Sequence, residues 1–162
     1  ENLLVVRTYS KSRSMAGARL GFALGSEALI RDLETIRFST NPYNLNRLTL
    51  LLGEAAVADD AYYMKNCKKI AATRERTAAR LKELGFTLAP SQANFLFASH
   101  PAVSGETLYS ALKLRGVLVR HFKKPRISEY VRITIGTPEQ MEVLFAAIED
   151  ILKGDAACAP QR

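Results

Sequence analysis

The order of apolar and polar positions divides the chain into short strand-like runs and longer helical stripes. Leu3 to Tyr9 is a short, largely apolar run, as expected of a strand buried on both faces of a sheet. Ser10 to Ser14 is a polar turn containing Lys11, and Arg19 to Leu24 reads as a second strand. Ser26 then caps a helix running to about Arg37, with apolar residues at Leu29, Ile30, Leu33 and Ile36. Asn41-Pro42-Tyr43-Asn44 breaks the chain. A helix from about Leu45 to Ala58 follows, and its run of leucines predicts burial.

Asp59 and Asp60 supply cap chemistry for a long helix that ends at Leu84, with Gly85 as its stop. Tyr63, Cys67, Ile70, Arg74, Thr77, Leu81 and Leu84 fall on one mostly apolar stripe. Beyond it the periods shorten. Asn94 to Ala98 reads as a strand, Ser104 to Arg115 as a helix closed by Gly116, and Val117 to Phe122 as a strand. Tyr130 to Gly136 is another strand and Pro138 to Lys153 a helix. Thr137-Pro138-Glu139-Gln140 puts a cap residue, an N1 proline and a capping-box Gln in order. The pattern predicts an α/β chain in four parts: residues 1–58, a connecting helix over 59–85, a small α/β unit over 86–154 and an unstructured tail over 155–162.

Composition narrows the class. The 162 residues are 48% hydrophobic and 24% charged, which rules out wholesale disorder and allows a core without covalent staples. Two cysteines, Cys67 and Cys158, are too few for a disulfide scaffold and fit a reducing compartment such as the cytoplasm. No stretch approaches the roughly 18 apolar residues that span a bilayer, so no membrane partner is expected. The chain opens at Glu1 directly into an apolar run, without a Met or a secretory leader, and reads as a fragment of a longer polypeptide.

The net charge of +7 suggests anionic partners. Many cations (Lys65, Lys68, Lys69, Arg74, Arg76, Arg80, Lys82) share one long helix with Glu75 and Glu83, the pattern of a solvated face. A nucleic-acid module would instead gather its cations on one contiguous face with exposed aromatics. His100 and His121 have no third ligand at metal-site spacing, so no metal is expected.

Arg7, Arg19, Arg120 and Arg132 interrupt strand-like runs. Alternation puts Val131, Ile133 and Ile135 on one face of their strand and Arg132 with Thr134 on the other. Arg120 shares a face with Leu118 and Phe122. A guanidinium among such neighbours suits a carboxylate or phosphate, and if the strands pair, both arginines project towards one pocket. An edge arginine that snorkels to water, or pairs with a structural Glu, gives the same pattern. Lys11 follows Ser10 at the carboxyl end of a strand predicted to be buried, where open α/β sheets place ligands. A partly desolvated amine there can form a Schiff base with an aldehyde, with Ser10 and Arg19 offering a hydroxyl and a charge to a phosphate. A lone lysine in a serine-rich turn is otherwise an ordinary surface residue.

Thr8-Tyr9-Ser10-Lys11 followed by Ala16-Gly17-Ala18-Arg19-Leu20-Gly21 resembles the cofactor-lysine segment of fold-type I aminotransferases that use pyridoxal phosphate. Among them it is most similar to the histidinol-phosphate aminotransferases. The resemblance continues through Asn41-Pro42-Tyr43-Asn44-Leu45-Asn46, Ser91-Gln92-Ala93-Asn94-Phe95, Gly116-Val117-Leu118-Val119-Arg120 and Val131-Arg132-Ile133-Thr134-Ile135-Gly136-Thr137. It implies a fragment of that fold: the end of the large-domain sheet, the connecting helix and the small carboxyl-terminal domain.

The roles follow from the resemblance residue by residue. Lys11 would hold pyridoxal 5'-phosphate and shuttle a proton, while Ser10, Arg19 and more weakly Thr8 would bind its phosphate. Arg132 with Arg120 would grip the substrate's anionic group, and Tyr43 and Asn94 would line the cleft. The substrates implied are a phosphorylated amine and the 2-oxoglutarate/glutamate pair, in histidine biosynthesis, within a cytoplasmic homodimer. Ser12-Arg13-Ser14-Met15 departs from the small apolar residues common after the lysine in this family. The pyridinium-pairing Asp, the ring-stacking aromatic and the glycine-containing phosphate turn lie upstream of the lysine in the family, so this piece alone is expected to be inactive. A lyase resembling threonine-phosphate decarboxylase shares the lysine, the arginines and the fold, and a non-catalytic basic nucleic-acid module is the reading from another class.

Overall fold

The computed structural model describes residues 2–154, and the chain divides into two units between Cys67 and Lys68. The tail over 155–162 with Cys158, and Glu1, lie outside the described residues.

In the first unit β1 (Val5–Thr8) pairs antiparallel with β2 (Gly21–Leu24), with Thr8 opposite Gly21 and Val5 opposite Leu24. Glycine is required at this crossing, because a Cβ on Gly21 would fall 2.8 Å from the Arg7 carbonyl oxygen. Helix α1 (Glu27–Thr40) starts at Ser26, whose side chain accepts from the Leu29 amide, and runs three residues past the predicted end. Helix α2 (Arg47–Ala58) starts at Asn46, which accepts from the Thr49 amide at 2.8 Å.

Two burial expectations fail in this unit. All four residues of β1 are exposed, so the strand is not covered on both faces. Leu48, Leu50, Leu51 and Leu52 of α2 are likewise exposed. The physical reason is shared: the unit is one two-stranded ribbon and two helices, too little surface to cover three apolar elements. Leu20 is its one buried hydrophobic side chain among the described residues, seated where Gly53 of α2 leaves room for it.

Helix α3 (Asp60–Glu83) begins in the first unit and continues into the second. Its stop is a Schellman motif: the Phe86 amide donates to Leu81 and the Gly85 amide to Lys82, both at 3.0 Å, with Gly85 at φ +90°. Helix α4 (Gly105–Leu114) ends the same way at Gly116, φ +77°. Helix α5 (Pro138–Leu152) opens with the predicted capping box of Thr137 and Gln140.

The second unit's sheet has the order β3-β4-β6-β5, antiparallel throughout, from β3 (Thr87–Leu88), β4 (Phe95–Ser99), β5 (Arg120–His121) and β6 (Val131–Thr134). β4 and β5 both run antiparallel to β6, so they are parallel to each other and joined over α4, a split β-α-β arrangement. β3 carries no signal of its own in the sequence. β5 keeps two residues of the predicted Val117–Phe122 run, and Leu118 is exposed outside it. One face of the sheet is buried by Leu96, Ala98, Val131 and Ile133, which pack with Leu81 of α3, Leu108 and Leu112 of α4, and Leu144 and Ile148 of α5.

The two units therefore respond differently to truncation of a leucine. Leu112→Ala is expected to lower unfolding stability by about 2–5 kcal/mol, because the side chain is fully buried. Leu51→Ala, at 53% exposure, is expected to change it by less than about 0.5 kcal/mol. Urea unfolding of the chain checks the pair, and equal losses would contradict the burial described.

Candidate active site

In the first unit the hairpin brings Thr8, Ser10, Lys11 and Arg19 to one end. The ladder is extended by the Tyr9 amide, which donates to the Leu20 carbonyl at 3.1 Å. There the ladder stops, since the Tyr9 carbonyl accepts from the Met15 amide instead. Thr8 donates its hydroxyl to Ser10 Oγ at 2.8 Å and accepts from the Ser10 amide at 3.1 Å, so the Ser10 hydroxyl hydrogen is left to donate outwards. Arg19 takes the left-handed conformation, φ 56°, after a single 3-10 turn over Ala16–Ala18. Its guanidinium reaches back to the Ala16 carbonyl at 3.4 Å, and no ion pair among the described residues involves it.

Lys11 opens a four-residue turn in which the Ser14 amide donates to the Lys11 carbonyl at 3.0 Å. Contrary to the expectation of a partly desolvated amine, Lys11 is exposed. The cause is the uncovered ribbon: a strand whose own residues are exposed does not bury the turn that follows it. Tyr43, in the break before α2, is 91% exposed.

Arg13 was singled out in the sequence only as a departure. It is 17% exposed as a side chain, pairs with Asp60 at 3.3 Å, donates to the Ala56 carbonyl and stands 4.0 Å above the Tyr63 ring. A cavity of about 600 Å³ lies between this loop and helix α2, lined by Ser12, Arg13, Met15, Leu52, Asp59 and Tyr62 among others.

In the second unit β5 and β6 pair with Arg120 directly opposite Arg132, so both side chains leave the same face of the sheet. That face is opposite the core, as the strict alternation of buried and exposed residues along β6 requires. Phe122 lies between them, 5.3 Å from the Arg120 guanidinium carbon and 6.0 Å from that of Arg132, with Phe95 5.4 Å from Arg132. Phe97 and Tyr130 stack beside them with centroids 4.7 Å apart. The result is a half-buried aromatic floor carrying two cations, suited to an anion of a small organic molecule.

Asn94 precedes β4 and its carbonyl accepts from the Ile135 amide at 2.9 Å. The turn that presents it is gripped by Arg74 of α3, which donates to the Ala93 carbonyl at 3.1 Å and pairs with Glu75 at 2.8 Å. Arg74 is 7% exposed, so it leaves the solvated basic face to which its charge assigned it. Its place in the apolar stripe of α3 was the signal that could have found it. Beside Arg120, Lys123 donates to Glu106 at 2.7 Å and holds that carboxyl below the ordinary carboxylate range.

The family model for aminotransferase class I and II matches residues 1–148. The chain belongs to that family. It is 48% identical over 153 residues to the histidinol-phosphate aminotransferase of Brachyspira hyodysenteriae, covering 94% of this chain and 43% of that protein. It is 50% identical over 152 residues to the histidinol-phosphate aminotransferase of Marinomonas sp., covering 93% and 43%. Among solved structures, the histidinol-phosphate aminotransferase of Sinorhizobium meliloti in complex with pyridoxal-5'-phosphate superposes with a TM-score of 0.79 at 25% identity, covering 94% of this chain and 42% of that one. The chain spans about 43% of the length of the curated relatives it matches. Its architecture is accordingly a fragment of the aminotransferase fold.

The Glu106 pair gives a pH prediction with a definite sign. The carboxyl titrates lower in the folded chain than unfolded, so its stabilisation is present above the unfolded value and is lost as pH falls through the folded one. Lys123→Met should move the Glu106 carboxyl midpoint upwards in a carbon-13 titration. An unmoved midpoint would show that the ion pair is not formed in solution.

Proposed function

We propose that this chain is the carboxyl-terminal part of a pyridoxal-phosphate-dependent aminotransferase that exchanges an amino group between histidinol phosphate, or a similar anionic amine, and 2-oxoglutarate. The observation that carries this reading is the end of the hairpin, where a hydroxyl pair and an otherwise unengaged guanidinium flank an exposed lysine. Ser10 supplies a hydroxyl donor and Arg19 a fixed charge that fit a phosphate, with Thr8 in a weaker role that orients the Ser10 hydroxyl. Lys11 supplies a primary amine that fits the cofactor's aldehyde. Hydroxyls and a cation alone would fit any phosphate; the amine adds a group able to form a Schiff base with an aldehyde.

When bound, pyridoxal phosphate supplies the electron sink that makes a substrate α-carbon acidic. The remaining work belongs to the chain. Lys11 Nζ would hold the cofactor and, as a free amine, would move a proton at the substrate α-carbon. Arg132 and Arg120 take the phosphate of the amine in one half-reaction and a carboxylate of glutamate in the other, and the rings of Phe122 and Phe95 thin the water around them. Asn94, just before β4, and Tyr43, in the break before α2, would line the substrate cleft on this reading. We divide the chain as the large-domain remnant 1–58, the connecting helix 59–85 and the small domain 86–154. The whole enzyme is a cytoplasmic homodimer on this reading, which the exposed leucines of α2 support as apolar surface requiring cover.

The test uses the full-length enzyme. Histidinol phosphate and 2-oxoglutarate should yield glutamate without release of carbon dioxide, and Arg132→Gln should raise KM for both substrates roughly 10- to 100-fold. Carbon dioxide released from a phosphorylated amino acid, with no glutamate formed, would replace the transferase with a lyase. Tight binding of nucleic acid that weakens steeply with salt, with no turnover, would remove the enzymatic reading altogether.

A further inference from the structure

We propose that Arg13 is a positioning residue for Lys11, a strap that fixes the turn from which the lysine projects. The proposal rests on the reading of Lys11 as the cofactor-carrying amine. Lys11 is the first residue and Arg13 the third of one four-residue turn, closed by the Ser14 amide on the Lys11 carbonyl at 3.0 Å. A second bond, from the Met15 amide to the Tyr9 carbonyl at 3.0 Å, ties the loop to its own stem. Whatever holds Arg13 therefore holds the backbone of Lys11, two residues away.

Those two backbone bonds lie within the loop and its stem, so they do not anchor it to the rest of the unit. Lys11 is exposed, and no ion pair among the described residues involves its ammonium. Ser14 sits at φ 57°, a left-handed conformation that a serine leaves readily when untethered. Arg13 counters this with three partners outside the loop. One nitrogen donates to the Ala56 carbonyl, in the last turn of α2 where helical donors run out. The other pairs with Asp60 at 3.3 Å, in the first turn of α3. The guanidinium carbon lies 4.0 Å from the centroid of the Tyr63 ring and 6.0 Å from that of Tyr9. A fork that donates in two directions while lying over an aromatic ring is a geometry that arginine provides and lysine does not. The loop is thereby tethered through the Arg13 side chain to the junction of α2 and α3.

The experiment uses the full-length enzyme with Arg13→Gln, Arg13→Lys and Lys11→Ala. With the cofactor absent, backbone amide exchange over residues 9–19 should quicken about tenfold in Arg13→Gln, while amides of β4 and β6 keep their rates and report an intact fold. With the cofactor loaded, kcat should fall about 10- to 100-fold at KM values within about twofold of the parent, because the reacting amine is displaced while the substrate arginines are untouched. Arg13→Lys, which keeps a cation for Asp60 and Tyr63 but loses the fork, should recover part of kcat. Unchanged exchange and unchanged kcat in Arg13→Gln, alongside an inactive Lys11→Ala, would overturn the strap alone. Full activity in Lys11→Ala would overturn both the strap and the reading beneath it.

Discussion

The two-residue period of β6 is the constraint on which the second unit depends. Val131 and Ile133 are buried at the centre of the core, so Arg132 and Thr134 have to face away from it. A slip of one residue would bury a guanidinium and expose two branched apolar side chains, a cost of several kcal/mol that fixes the register. Once the register is fixed, Arg120 on β5 lies opposite Arg132, and the rings of Phe95, Phe97 and Phe122 share their face. The placement of two cations on one aromatic surface is thus a consequence of packing on the other side of the sheet.

The first unit works by a different economy. It has no comparable core, and what organises it is close backbone approach and polar contacts. Gly21 lets β1 and β2 cross, Thr8 and Ser10 bind each other at the turn, and Arg13 ties the loop to α2 and α3. Local order of this kind holds the ends of the hairpin in register while the unit's apolar surfaces stay exposed.

Most of the element pattern was legible in the sequence because it is local. The caps at Ser26 and Thr137 and the stops at Gly85 and Gly116 appear where the residue types predict them. The in-and-out alternation that separates Arg132 from Val131 and Ile133 was legible for the same reason. Burial in the first unit was not, since a run such as Leu50-Leu51-Leu52 states that cover is wanted and not that the unit supplies it. The exposure of Lys11 is illegible for the same reason, because it follows from β1 being uncovered. Arg13 and Arg74 escaped as positioning groups because their partners, at Ala56 and Asp60 for one and Ala93 for the other, are set by tertiary contact. For Arg74 the apolar stripe was a usable warning. For Arg13 nothing in the spacing announced its contacts.

The proposed function turns on Lys11 as the amine that carries the cofactor. The direct measurement is to reduce the full-length, pyridoxal-phosphate-loaded enzyme with borohydride, digest it, and map the phosphopyridoxyl group by mass spectrometry. A single modified peptide spanning Ser10-Lys11-Ser12, absent from Lys11→Ala, is the result expected from the hairpin geometry. A stoichiometric label on any other lysine, with Lys11 unmodified, would contradict it.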